Sequence, residues 1–195
     1  MNLPNKLTVL RLILIPVFVA AYYITAIPYN YLVAAIIFVA AAFTDFLDGH
    51  IARKYNLVTD LGKFLDPIAD KVLVAAALII MLVVPSGGAV ILPSYCAIFV
   101  AIILARELII SGFRMVAASK GKVLAADKAG KIKTFVQDIA ICILLVGAQF
   151  QAGLYTALNI AGLVALIIAT VLTIVSGTEA IVKNLSVLRE EKQDK

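Results

Sequence analysis

The sequence has no tryptophan, one histidine and two cysteines among its 195 residues. Only 15% of its residues are charged and 63% are apolar, with a mean hydropathy of +1.05. A soluble globular domain carries about 25% charged and roughly 45–50% apolar residues. A chain of this size keeps roughly a third of its unfolded surface exposed on folding, so no single core could hide so much apolar surface. A soluble enzyme, a nucleic-acid-binding domain and a disordered chain are thereby excluded, and the solvent for most of the molecule is lipid. Cys96 and Cys142 sit in apolar runs with no partner close in sequence. They read as buried hydrophobes, with no disulfide framework and no metal-site spacing. Without tryptophan, any interfacial aromatic belt rests on the 7 Tyr and 9 Phe.

Charge is missing altogether from three long stretches, 12–44, 72–105 and 139–178. Crossing the hydrocarbon layer takes roughly 20 helical residues. Each stretch is too long for one span and close to enough for two. Turn residues lie near the middle of each: Ile27-Pro28-Tyr29-Asn30, Pro85-Ser86-Gly87-Gly88, and Gln149 to Gly153. The pattern predicts an all-α membrane protein of three helical hairpins. Its six transmembrane helices are expected near 12–27, 31–52, 63–84, 93–117, 133–150 and 156–178. The apolar runs are continuous and rich in Ala, Leu and Ile, unlike the alternating strands of a lipid-facing barrel. Lys6 and Arg11 precede an apolar run as in a signal peptide, but no convincing small-residue cleavage site follows, so the run is read as the first span.

The 17 Lys and Arg, for a net charge of +5, all lie away from the hairpin tips: in the N-terminal segment, 45–71, 106–133 and the C-terminal tail. The positive-inside rule makes that side cytoplasmic, with both termini on it. The chain is expected to be one domain over 1–195. It would comprise a short interfacial helix over 1–11, the six-helix bundle over 12–178 and a cytoplasmic tail over 179–195. Two uncharged stretches are too short for two full spans, so helices must continue through charged residues at their cytoplasmic ends. Asp45, Asp48, Asp66, Asp70, Lys71, Arg106, Glu107 and Arg114 are then expected inside helices. Ionisable groups at that depth cost roughly 3 kcal/mol each on insertion and mark functional sites.

Asp45 and Asp48 are three apart, and Asp66 and Asp70 four apart, so each pair shares a helix face. A short loop joins the two helices, and four carboxylates would converge. Unpaired, they would repel one another and lose hydration. A hard divalent cation removes that penalty; oxygen donors without Cys or convergent His favour Mg²⁺, Mn²⁺ or Ca²⁺ over zinc. Four carboxylates suffice for two ions, an arrangement suited to phosphoryl chemistry. Gly49 leaves the backbone open to a ligand, and Arg53, one turn on, can meet a phosphate bidentately. Salt bridges to Arg53, Lys54, Lys63 and Lys71 are the bland alternative for any one aspartate.

The pattern Asp-x2-Asp-Gly-x2-Ala-Arg-x8-Gly-x3-Asp-x3-Asp resembles the signature of the CDP-alcohol phosphotransferases. Its eight positions are filled here by Asp45, Asp48, Gly49, Ala52, Arg53, Gly62, Asp66 and Asp70. The family joins a CDP-linked donor to an alcohol and releases CMP. The resemblance implies that Asp45, Asp48, Asp66 and Asp70 hold two metal ions, Mg²⁺ or Mn²⁺, with Asp70 as the general base. Spacing alone leaves open which of the four takes the proton. The resemblance also implies donor contacts for Gly49, Ala52, Arg53, Thr59 and Gly62, and a homodimer.

A second constellation is basic. Arg106 and Arg114 are eight apart on one predicted helix, and Lys131 and Lys133 open the next. Cations beside an acidic metal site suit an anionic second substrate; Lys120, Lys122 and Lys128 read as ordinary cytoplasmic charge. This stretch, and the opening Asn2 to Arg11, resemble one branch of the family, the phosphatidylglycerophosphate synthases. The implied donor is CDP-diacylglycerol, met also by Asn5 and Thr8. The implied acceptor is sn-glycerol 3-phosphate, its phosphate meeting Arg11, Arg106, Arg114, Lys131 and Lys133. Other acceptors (an inositol phosphate, serine, phosphatidylglycerol), an aspartate-rich membrane prenyltransferase and a cation transporter are the competing expectations. His50 reads as interfacial, Asp138 and Glu179 as helix caps or partners of nearby bases, and Gly162 and Gly177 as close-packing positions.

Overall fold

A computed structural model describes residues 3–54, 60–83, 90–119, 128–150 and 152–184, with side chains outside the description at 3–4, 46, 48–54, 60–67, 119, 128 and 152. Among the described residues, six α-helices follow one another: α1 Leu3–Tyr23, α2 Asn30–Lys54, α3 Asp60–Ile80, α4 Ala97–Ser119, α5 Lys128–Gln149 and α6 Ala152–Lys183. A 3-10 turn, Ser94–Cys96, leads into α4. Each of the six expected segments falls mainly in one helix, although α1 ends at Tyr23 and α3 at Ile80, short of the expected 27 and 84, and all eight charged positions expected inside helices lie inside them.

The N-terminal boundary differs as well. The separate interfacial helix expected over 1–11 is continuous with the first apolar segment in α1. Pro4 lies in the first turn, where a missing N–H breaks no helical bond, and nothing near Arg11 interrupts the ladder. Pro16 is carried within the helix.

Among the described residues, four helical stretches are long and apolar enough to cross a membrane: Asn5–Tyr23, Ser94–Ala118, Ala129–Gln149 and Gly153–Lys183. The apolar part of α2 runs only from Asn30 to Asp45 before the acidic segment begins, and that of α3 follows Asp70. Large apolar side chains point outward along the bundle, among them Leu108 and Phe135, each about two-thirds exposed or more. Outward apolar faces of this extent need lipid. The molecule is an all-helical integral membrane protein.

Inside, α1 and α2 pack through Phe18 against Phe38 and Tyr22 edge-on to Tyr31. The α5–α6 pair is as extensive, and glycines set its closeness. A Cβ on Gly162 would stand 2.6 Å from Leu144 Cγ, and one on Gly147 would stand 2.9 Å from Leu158 Cβ. The middle hairpin is different from the other two. α3 packs mainly on α1, and α4 mainly on α6. Ala69, Leu73 and Ala77 form the buried stripe of α3 at helical spacing.

The two ends of the bundle have different chemistry. At the hairpin-tip end, neutral side chains satisfy backbone carbonyls: Tyr22 Oη donates to Val83 O, Asn30 Nδ2 to Tyr22 O, Tyr155 Oη to Val90 O and Asn159 Nδ2 to Ile91 O. Leu92 N donates to Met81 O and ties the approach to α4 back to α3. Tyr29 takes a positive φ of 58° in the α1–α2 turn. The opposite end carries the ion pairs.

Candidate functional site

The charged end is built from side chains that different helices bring together. Arg11 on α1 is fully buried. Its Nη1 stands 2.8 Å from Asp45 Oδ1 on α2, and its Nε is 3.4 Å from Thr44 Oγ1. Thr44 in turn donates to Ala41 O at 2.6 Å. Thr8 and Asn5, one and two turns before Arg11, are buried on the same helix. The three-residue recurrence Asn5, Thr8, Arg11 thus faces the bundle, and its first cation meets the first aspartate of the signature. Arg11 therefore lies with the acids rather than with the basic residues of α4 and α5.

Asp45 retains 44% side-chain exposure beyond that contact. Asp45 and Arg11 are among the charges acting on Asp70 of α3. The two aspartates, on α2 and α3, thus lie within electrostatic range of each other. Asp48 and Asp66 lie on the same two helices, with side chains outside the described residues. Gly49, His50, Ala52, Arg53 and Gly62 are likewise helical with side-chain detail outside the description, and Thr59 lies outside it altogether. Among the described residues no group of three metal-ligating side chains is present.

The basic constellation resolves into a buried network around a carboxylate. Lys133 on α5 is 1% exposed. Its Nζ stands 2.6 Å from Glu107 Oε1, and Arg106 Nη1 stands 3.1 Å from the same oxygen. Arg106 Nη2 donates to Ser176 Oγ on α6 at 3.0 Å. The stem of Arg106 runs over Gly177, where a Cβ would come within 2.9 Å of Arg106 Cγ. Gly177 is thus a seat for an arginine, rather than only a helix-packing position. With two cations and one carboxylate, the network keeps a net positive charge at the end of a membrane helix. Arg114 and Lys131 are exposed and form no ion pair with it among the described residues.

Three residues here were not singled out from sequence as site residues. Glu107 joins the two constellations, because its charge acts on Asp70 while it holds Arg106 and Lys133. Asp138 on α5 feels both Asp70 and Asp45, and its buried Oδ1 has no hydrogen-bond partner among the described residues. Gln137 is 1% exposed, and its Oε1 is likewise without a partner there. The available signal was position: an acid and an amide inside an apolar span, one helical turn beyond Lys133. Glu179 pairs with Lys183 along α6, as its spacing suggested.

Residues 1–176 match the sequence profile of the CDP-alcohol phosphatidyltransferases. Curated relatives carry the name CDP-diacylglycerol–glycerol-3-phosphate 3-phosphatidyltransferase. That of Bacillus subtilis (strain 168) is 40% identical over 200 residues, covering 96% of this chain and 97% of its own length. That of Rickettsia bellii is 43% identical over 176 residues, covering 90% and 91%. That of Escherichia coli (strain K12) is 42% identical over 146 residues, covering 74% and 76%. The chain belongs to the CDP-alcohol phosphatidyltransferase family.

Proposed function

We propose that this protein transfers the phosphatidyl group of CDP-diacylglycerol to sn-glycerol 3-phosphate, giving phosphatidylglycerophosphate and CMP. The names of the relatives support both substrates. The observation that carries the acceptor is the Arg106–Glu107–Lys133 network, a net-positive cluster whose carboxylate lies within electrostatic range of Asp70. Buried positive charge at the edge of lipid suits a phosphate-bearing alcohol and has no use for a neutral one.

The acids fit a divalent cation. Asp45 presents a half-exposed carboxylate, Asp70 lies within its field, and all donors are oxygen. Asp45, Asp48, Asp66 and Asp70 would hold Mg²⁺ or Mn²⁺, two ions for four carboxylates, supplying charge neutralisation at the pyrophosphate. Arg11 holds Asp45 in place. Arg106 and Lys133 take the acceptor phosphate, and the exposed Arg114 and Lys131 draw anions toward it. Asn5, Thr8, Gly49, Ala52, Arg53, Thr59 and Gly62 bind the donor. Asp70 takes the proton from the terminal hydroxyl of the acceptor. That oxygen attacks the β-phosphorus of the donor, the bond to the CMP oxygen breaks, and Arg53 balances the charge on the departing CMP. Positioning and charge stabilisation account for the rate.

In the proposed arrangement the chain crosses the membrane six times, with this end of the bundle and both termini on the cytoplasmic side of the cell membrane, in one domain spanning 1–195, and the enzyme works as a homodimer. The charge bias of the loops supports the orientation. The function is tested by CMP release from purified protein with CDP-diacylglycerol and Mg²⁺, with and without glycerol 3-phosphate. Release that depends on glycerol 3-phosphate supports it; release only with another alcohol overturns the acceptor.

A further inference from the structure

Glu107 spends only one of its two oxygens. Lys133 Nζ and Arg106 Nη1 both converge on Oε1, at 2.6 and 3.1 Å. Among the described residues Oε2 carries no hydrogen bond, and the side chain keeps 19% exposure. Its charge acts on Asp70, and Lys71 acts on it in turn. The carboxylate is thus bonded to the proposed phosphate-binding cations and lies within electrostatic range of the proposed base.

A carboxylate oxygen only accepts hydrogen bonds. A phosphate over Oε2 would be repelled, so whatever part of a ligand lies there must donate a hydrogen. The cations fix the phosphate end of the acceptor and Asp70 fixes the reacting hydroxyl. The donor in between is a hydroxyl on the carbon separating them. We propose that Glu107 Oε2 accepts a hydrogen bond from that middle hydroxyl, which makes Glu107 a specificity residue for phosphorylated polyols. The proposal rests on the acceptor reading above.

The discriminating substrate is 3-hydroxypropyl phosphate, which keeps the phosphate and the terminal hydroxyl and lacks only the middle one. With full-length protein, CDP-diacylglycerol and Mg²⁺, kcat/KM is measured for it and for glycerol 3-phosphate. The wild type should prefer glycerol 3-phosphate by about 10- to 100-fold, the worth of one hydrogen bond to a charged acceptor. Glu107→Gln should cut that preference by about 5-fold or more, because an uncharged group makes the weaker bond. Any shift of Lys133 or Arg106 affects both substrates and cancels in the ratio. Should Glu107→Gln fail to fold, Glu107→Asp must lower the ratio too, since it withdraws the oxygen by one methylene. Equal use of the two substrates by the wild type, or an unchanged ratio in a folded variant, overturns the role of Glu107 and leaves the proposed function standing. Turnover with some other alcohol and none with glycerol 3-phosphate removes the function itself.

Discussion

At the scale of single residues, the two constellations behave differently under substitution. Asp70→Asn should lower CMP release by orders of magnitude while the protein still inserts and purifies as a folded species; near-wild-type turnover would remove Asp70 as the base. Lys133→Ala should raise the KM for the acceptor more than that for the donor, and the reverse order would take it out of the acceptor pocket. Arg11→Ala should leave the acceptor KM within about 2-fold of wild type and lower thermal stability. The loss should be smaller than the ~3–5 kcal/mol of a fully buried pair, because Asp45 is 44% exposed. A large rise in acceptor KM in that variant would return Arg11 to the phosphate. The aspartates were legible in the sequence because their spacing on two adjoining helices is itself the signal. The Arg11–Asp45 pair was not, because it joins residues on separate helices whose rotation about their axes no local spacing fixes. Asp138 was read as a cap or a partner of nearby bases for the same reason: its relation to Asp70 and Asp45 exists only once α5 is packed against α2 and α3.

At the scale of helices, uncharged length and central turn residues located the elements well, since a lipid solvent forces backbone bonds to close within each segment. Which helix packs on which was less legible. Neighbours in sequence were expected to pair, yet α3 lies mainly on α1 and α4 on α6. Arg106 supplies one reason, reaching Ser176 and lying over Gly177. Gly177→Ala should therefore push the arginine stem aside, a small structural cost for a flexible chain, and raise the acceptor KM with little change in thermal stability. Gly162→Val should do the opposite, because its neighbour Leu144 sits across the α5–α6 contact. Overpacking there costs about 1–3 kcal/mol, read as a lower unfolding temperature in detergent with substrate KM values unchanged. Exchanged phenotypes would mean that the two glycines have been given the wrong roles.

At the scale of the whole molecule, the bundle separates a neutral end, tied by tyrosine and asparagine hydrogen bonds to carbonyls, from a charged end holding every ion pair described. Composition alone made lipid the solvent, and the structure adds why the charges can stay: each buried cation has a carboxylate from another helix beside it. Topology reporters fused after residue 88 and after residue 122 should lie on opposite sides of the membrane, the second with the cytoplasm; the same side for both would remove the six-crossing arrangement. The central claim, a phosphatidyl transfer to a phosphorylated alcohol, is tested most directly by CMP release from the purified protein. CDP-diacylglycerol with Mg²⁺ should release CMP at a rate that rises and saturates with added glycerol 3-phosphate. CMP release indifferent to glycerol 3-phosphate, or none with any alcohol from folded protein, would contradict it.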